Sequence, residues 1–272
     1  MIVYPNAKIN LGLNVIERRP DGYHNIETIF YPIGIQDVLS IEPSETCSDY
    51  SFSSSGIVFD DDAENNLIIK AYRLLRSQYE FPPVDISLHK QIPFGAGLGG
   101  GSADAAFTLK ALNELFLLNI STRKLETLAS KLGADCPFFI KNTPVYAEGI
   151  GNVFSSVKVS LKGYWMLLVK PNIHVSTAEA YAGIQPAPCQ KSLNDLVKLP
   201  MKEWKNQIKN DFEKTVFEKQ PQIGKIKDKM YELGALYASM SGSGSSVYGI
   251  FTDKPVFEGK FQDDFVACGM LD

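Results

Sequence analysis

Cysteine is scarce in this chain, and what there is lies scattered. Cys47, Cys136, Cys189 and Cys268 are far apart, with no C-x-x-C pair. That spacing supplies neither a zinc set nor an obvious disulfide framework, and it suits a reducing cytosol. Long apolar runs are missing as well. Tyr164–Val169 reaches only six residues, where a membrane span needs ~18. No basic flank leads into an apolar stretch near Met1, so no secretory signal is expected. Positive charge is not in excess: 27 Lys and Arg face 31 Asp and Glu, a net charge of −4. This argues against non-specific nucleic-acid binding, which needs a basic surface. No internal repeat is visible, and low complexity is confined to short pieces such as Ser51–Ser55. The remaining composition, 44% hydrophobic and 21% charged over 272 residues, is ordinary for a soluble globular chain of one large or two modest domains. The residues point to a cytoplasmic protein whose partners are small molecules, not nucleic acid or membrane. They leave monomer or homodimer open.

Glycine, by contrast, is concentrated. Pro93-Phe94-Gly95-Ala96-Gly97-Leu98-Gly99-Gly100-Gly101-Ser102-Ala103-Asp104 packs five glycines into the seven positions from Gly95 to Gly101. Ala105, Leu109, Leu112 and Phe116 then step by four, three and four, which is one face of an α-helix. A glycine loop feeding a helix, with Ser102 placed to cap it, offers exposed N–H groups and a positive helix end to an anion, most often phosphate. The alternative is a mobile surface loop. It is the weaker reading, because so many glycines lose much backbone entropy on ordering.

Known phosphate loops narrow the choice. A Walker A loop fails by one residue, since Gly101 stands where the lysine must be. Gly95, Gly97 and Gly100 match the dinucleotide pattern G-x-G-x-x-G, but a second strand with an acidic end does not follow. Asn119–Leu128 reads as a turn and another helix. The protein-kinase loop lies between strands and needs H-R-D and D-F-G motifs, which are absent.

Elsewhere, Ala7–Val15 alternates cleanly. Ile9, Leu11, Leu13 and Val15 share one face, and Lys8, Asn10, Gly12 and Asn14 share the other. The second face is either solvated or a binding face; asparagine in a strand and a glycine that admits close approach favour the latter. Arg18–Asn25 is a turn on Pro20 and Asp21-Gly22 carrying Tyr23 and His24, a solvated pair or a ligand contact. Strands are expected at Ile26–Ile33, Asp37–Glu42 and Val84–Leu88, and a polar strand-and-turn region over Cys47–Asp62. Helices are expected at Asn66–Tyr79 and Thr122–Lys131. Asp135, between a helix end and apolar Phe138–Ile140, is either a turn aspartate or a partly buried carboxylate that needs a cation, with Lys8 the natural candidate. Gly149–Val157 marks a soft boundary, giving domains 1–152 and 153–272. The second half reads as a strand at Tyr164–Val169, helices near Asp211–Phe217 and Ile223–Leu233, and a strand at Leu236–Ser239. Ser241–Ser246 follows, either a flexible hairpin turn or a second backbone cradle.

Pro93, Gly97-Leu98-Gly99 and Gly101-Ser102-Ala103 closely resemble the second motif, P-x-x-x-G-L-G-[GS]-[GS]-[SA]-A, of the galactokinase, homoserine kinase, mevalonate kinase and phosphomevalonate kinase (GHMP) superfamily. Ser241–Ser246 resembles its third motif. With Ala7-Lys8-Ile9-Asn10, Arg19-Pro-Asp-Gly-Tyr-His24 and Gly133-Ala-Asp-Cys-Pro137, the order along the chain resembles the family of 4-diphosphocytidyl-2-C-methyl-D-erythritol kinases. The resemblance thins between about Gln185 and Glu232. It implies a two-domain α/β (α+β) fold, with an N-terminal ATP-binding domain like ribosomal protein S5 domain 2 and a ferredoxin-like C-terminal domain. ATP and substrate would meet in the cleft, with Mg²⁺ on the phosphates.

Carried over residue by residue, the resemblance makes Asp135 the catalytic base and Lys8 its partner. Asn10, Tyr23, His24 and Tyr181 become contacts to the cytidine and erythritol parts of the substrate, joined by Gly242 and Ser243. Asn66, Leu67 and Lys90 become the adenine-side lining, and Pro93 to Ala103 the phosphate loop. Ser102-Ala103 replaces the two serines of many members, so no metal ligand is assigned. The implied reaction moves the γ-phosphoryl group of ATP to a substrate hydroxyl. The rivals are another superfamily kinase of homoserine or mevalonate type, a diphosphomevalonate decarboxylase, and a non-catalytic ligand-sensing relative. Tyr23-His24 argues against another superfamily kinase, and retention of Lys8 and Asp135 against the ligand-sensing relative.

Overall fold

A computed structural model describes residues 1–57 and 65–272, so the end of the polar Cys47–Asp62 region lies outside the described residues. Two compact units emerge. The first gathers Met1–Ala7, Ile35–Phe94 and Gly99–Thr143; the second gathers Lys8–Gly34, Gly95–Leu98 and Pro144–Asp272. This differs from a single cut at 152/153. The reason is strand pairing. β3 (His24–Gln36) bonds β7 (Val145–Glu148), which bonds β8 (Val153–Ser156), so N-terminal strands complete a sheet with later ones.

The first unit holds a four-stranded sheet in the order β1 (Ile2–Val3), β4 (Val38–Pro43), β6 (Val84–Lys90), β5 (Tyr50–Gly56). The β5–β6 pair is parallel and the others antiparallel. Val84, Ile86 and Leu88 alternate inward along β6, and Lys90 continues the same buried side. Helix α1 (Leu67–Arg76) buries Ile68, Ile69, Tyr72 and Leu75, and packs on α2 (Gly100–Leu115). Alanines fill the buried side of α2 at 103, 105, 106 and 111, which lets its neighbours approach closely. Helix α3 (Thr122–Ala129) is capped by the Ser121 hydroxyl, which accepts from Lys124 N, and it packs with the short α4 (Phe138–Lys141).

In the second unit, β2 (Asn6–Arg18) joins β3, β7 and β8 in one sheet. The other sheet runs β10 (Tyr237–Met240), β11 (Val247–Phe251), β9 (Trp165–Lys170), β12 (Phe265–Met270), all antiparallel. Its core joins Leu167, Val169, Met240 and Val247 to Phe212 and Val216 of α8 (Phe212–Lys219) and to Ile223, Ile226 and Met230 of α9 (Pro221–Glu232). Burial of each such side chain is worth about 1.5–3 kcal/mol. β7, β8 and β12 were not expected from the sequence; β8 falls within Gly149–Val157, where the hydrophobic pattern pauses, and β7 lies just before it.

Candidate active site

The glycine motif is divided between the units, and each part has its own partners. Gly99 takes a left-handed φ of +71° and α2 begins directly after it at Gly100, with no side-chain cap. This corrects the expectation that Ser102 caps the helix. A left-handed glycine turns the chain in one residue, so the helix starts early and Ser102 falls inside its first turn. Ala103 N already donates to Gly99 O, at 2.9 Å. The N–H groups of Gly100, Gly101 and Ser102 therefore lie ahead of the first intrahelical bond, at the positive end of a 16-residue helix. Above Gly101 the nearest foreign atom to a hypothetical Cβ is Leu67 Cδ1, at 3.6 Å. Asn66 caps α1, its Oδ1 accepting from Ile68 N at 2.9 Å.

Beneath this helix end lies a buried charge cluster that sequence reasoning did not find. Lys90, expected on the adenine side, turns its ammonium inward to Asp37 and Asp104, the latter at 2.6 Å. Asp37 Oδ1 also accepts from Gln91 N and Ile92 N, at 2.6 and 2.9 Å, so the cluster fixes the approach to Pro93. The period-two burial of β6 was the available signal: continued one step past Leu88, it puts Lys90 on the core face.

Burial, the largest cause, pushes the Asp104 carboxyl up from 3.8 to about 7; Lys90 opposes this and Asp37 adds to it. A carboxyl with a raised native pKa binds its proton more tightly than the unfolded chain does. Stability is then full below about pH 4 on this account and declines as pH rises toward about 7. Asp104→Asn removes that titration. Stability between about pH 5 and pH 7 should fall for the wild type by at most about 1.4 kcal/mol per pH unit, lowering its melting temperature, and should stay flatter for the variant. Parallel slopes would assign the titration to another group.

In the second unit, Lys8 and Asn10 do face the same way, and that face is buried rather than solvated. Lys8 Nζ donates to Asn10 Oδ1 at 2.7 Å and to Gly97 O at 3.1 Å, above the Phe30 ring. Asn10 Nδ2 donates to Thr28 Oγ1 at 2.9 Å, and that hydroxyl donates to Gly12 O at 2.6 Å. Gly95–Leu98 lies on the Ser241–Ser246 loop. Ser241 Oγ donates to Gly97 O at 2.8 Å, Ser246 N to Ala96 O at 3.3 Å, and Lys8 N to Leu98 O at 2.9 Å. A Cβ on Gly97 would stand 1.9 Å from Ser241 O. The Ser/Gly loop is thus packed against the glycine segment, and the flexible-turn reading does not hold.

His24 and Tyr181 come together as a stacked pair, 4.7 Å between centroids and 19° between planes. Tyr181 ends α5 (Thr177–Tyr181), which a Ser176–Glu179 capping box starts. Tyr23, next to His24 in sequence, is solvent-exposed. Ser243 Oγ lies 3.4 Å from Thr177 Oγ1. In the first unit, half-buried Asp135 occupies the turn leading into α4, its carbonyl accepting from Phe138 N, against buried Cys136, Pro137 and Phe138. Burial pushes the Cys136 thiol up to about 11, with Ser102 opposing, so it stays protonated and packs.

Known proteins resemble this chain in sequence and fold. The model for the GHMP kinase N-terminal domain matches residues 66–142 and that for the C-terminal domain residues 189–258. The 4-diphosphocytidyl-2-C-methyl-D-erythritol kinase of Parabacteroides distasonis is 56% identical over 275 residues, covering 100% of both chains. A crystal structure of 4-(cytidine 5′-diphospho)-2C-methyl-D-erythritol kinase superposes with a TM-score of 0.80 at 32% identity, over 92% of this chain and 90% of that one. The Methanococcus jannaschii mevalonate kinase, at 14% identity and a TM-score of 0.71 over 100% of this chain and 98% of its own, shares the fold. The chain belongs to the GHMP kinase family, on the branch of the 4-diphosphocytidyl-2-C-methyl-D-erythritol kinases.

Proposed function

We infer that this protein transfers the γ-phosphoryl group of ATP to the 2-hydroxyl of 4-(cytidine 5′-diphospho)-2-C-methyl-D-erythritol, giving the 2-phosphate and ADP in the non-mevalonate (MEP) isoprenoid pathway. The observation that carries this reading is the 56% identity to a kinase of that name over the full chain. The His24–Tyr181 stack supports it as a platform for a flat base. A two-domain division near residue 152 goes with the reading, since the two family models fall on either side of it.

The donor side is assigned to the first unit. The amides of Gly100, Gly101 and Ser102 and the helix end hold ATP phosphates, and Asn66 and Leu67 border the adenine. The Lys90 ammonium is engaged by two carboxylates, so Lys90 serves this side by fixing the approach to Pro93 and Phe94. The acceptor side is assigned to Asn10, Tyr23, His24, Tyr181, Gly242 and Ser243. The accepting hydroxyl is on a tertiary carbon and is a crowded, poor nucleophile. Asp135 takes its proton, and Lys8 steadies the charge that develops in transfer.

When bound with ATP, Mg²⁺ would supply charge neutralisation on the phosphates. Among the described residues no group of three His, Cys, Asp or Glu is placed to hold a metal. No helix of the described residues is long and apolar enough to cross a membrane. We place the protein in the cytoplasm, as a monomer or homodimer, without a nucleic-acid partner.

The acceptor pocket has a direct test. Removing one stacking ring costs about 1–3 kcal/mol per base, so Tyr181→Ala should raise KM for the cytidylyl substrate about 5- to 150-fold. KM for ATP should hardly move. A rise confined to ATP would mean the donor and acceptor sides are interchanged.

A further inference from the structure

Four consecutive residues, Asn210-Asp-Phe-Glu213, reach the acceptor side or the strands that carry it. The Asn210 side chain is 3% exposed and fully engaged. Its Nδ2 donates to Met240 O and Gly242 O, both at 2.8 Å, and its Oδ1 accepts from Phe212 N at 3.0 Å. Two carbonyls on one side and an N–H on the other fix which way the amide points. Asp211 grips β2 just beyond Asn10: its carboxylate accepts from Val15 N at 2.7 Å and its N–H donates to Leu13 O at 2.8 Å. Phe212 meets the Tyr181 ring edge-on, at 4.7 Å and 80°, and Tyr181 in turn stacks on His24. Glu213 Oε1 accepts from Met240 N at 2.9 Å and from Ser239 Oγ at 3.1 Å, while Oε2 pairs with Lys227.

We propose that Asn210–Glu213 is a positioning splint for the acceptor side, with Asn210 setting the Ser241–Ser243 turn and Phe212 setting the His24–Tyr181 stack. The proposal rests on the acceptor pocket assigned above. Gly242 sits at φ +56°, and a Cβ on it would lie 3.4 Å from Asn10 Oδ1. A shift of the turn therefore moves the loop relative to Asn10 and Gly97. Asn210 touches no reacting group. It holds the carbonyls on either side of Ser241, whose hydroxyl bonds Gly97 O. One asparagine thus transmits the position of α8 to the loop that faces the substrate.

Asn210→Asp keeps the size and the acceptor for Phe212 N but turns an oxygen toward two carbonyls. Leaving buried acceptors unsatisfied costs about 1–3 kcal/mol, so KM for the cytidylyl substrate should rise about 5- to 150-fold. KM for ATP should stay within about twofold. Amide exchange at Ser241, Gly244 and Ser246, each hydrogen-bonded in the wild type, should quicken. Phe212→Leu keeps an apolar filler but no ring edge. It should raise the same KM without quickening loop exchange, and it covers the case in which Asn210→Asp fails to fold. A lower melting temperature with both KM values and loop exchange unchanged would make the segment merely structural and overturn the proposal. An equal rise in both KM values would overturn it too. If the wild type does not turn over the cytidylyl substrate, the functional reading fails, and loop exchange alone decides: quickened exchange in Asn210→Asp supports the splint, and unchanged exchange refutes it.

Discussion

Asp135→Asn is expected to lower kcat by about 10²–10⁴-fold, the usual worth of general-base help, with ATP still bound at near wild-type affinity. The change is isosteric, so the turn into α4 and its wall of Cys136, Pro137 and Phe138 keep their packing. An amide can orient the hydroxyl but cannot take its proton. The neighbouring Cys136 thiol does not substitute: burial pushes it up to about 11, and it is a poor base near neutrality. Steady-state kinetics with an independent ATP-binding measurement check this. Unchanged turnover would remove Asp135 from the role. Lost ATP binding would make it a structural or donor-side residue.

Gly97→Ala and Gly101→Ala should fail in opposite ways. Gly97 sits at φ +73°, where a side chain is strained, and its Cβ would press on a backbone oxygen that the Ser241–Ser246 loop cannot easily withdraw. Left-handed strain and overpacking together should cost roughly 2–5 kcal/mol. The damage reaches the Lys8 and Ser241 bonds to Gly97 O, so thermal stability and turnover both fall. Gly101 lies in the first turn of α2, where alanine is the better helix former by up to about 1 kcal/mol, and the nearest contact is an ordinary 3.6 Å. Its variant should melt at the same temperature or higher, yet bind ATP several-fold more weakly, because a methyl now stands where backbone alone met phosphate. Thermal melts and ATP titrations on both variants check the pair. Undiminished ATP affinity in Gly101→Ala would place the phosphates elsewhere.

What could be read from the sequence follows from how local each signal is. The alternation in Ala7–Val15 and the glycine loop followed by a helical period are written in neighbouring residues, and each element formed where expected. That the Lys8 and Asn10 face is buried rather than solvated depends on residues outside the local pattern: Gly97, Thr28 and Ser241. The Ser102 cap was misjudged because a left-handed glycine, not a hydroxyl, starts α2, and composition does not report φ. Lys90 was expected on the adenine side, and the strand before it was ended at Leu88, one step short of the alternation that buries it. Its partner Asp37 lies 53 positions earlier, beyond any local pattern. Asn210 and Phe212 sit where the resemblance to known kinases is thinnest. Their partners, Gly242 and Tyr181, are about thirty residues away on either side, and no periodicity marks an asparagine that holds another loop's carbonyls. β7 and β8 are short strands held by ladder pairing, β7 on β3 and β8 on β7, rather than by their own hydrophobicity.

The most direct test of the central claim is ADP release from Mg-ATP by the purified protein. The cytidylyl substrate should be compared with mevalonate, homoserine and galactose. Turnover on 4-(cytidine 5′-diphospho)-2-C-methyl-D-erythritol alone is the predicted result. Turnover on one of the other three acceptors, or silence on all four with ATP still bound, would contradict it.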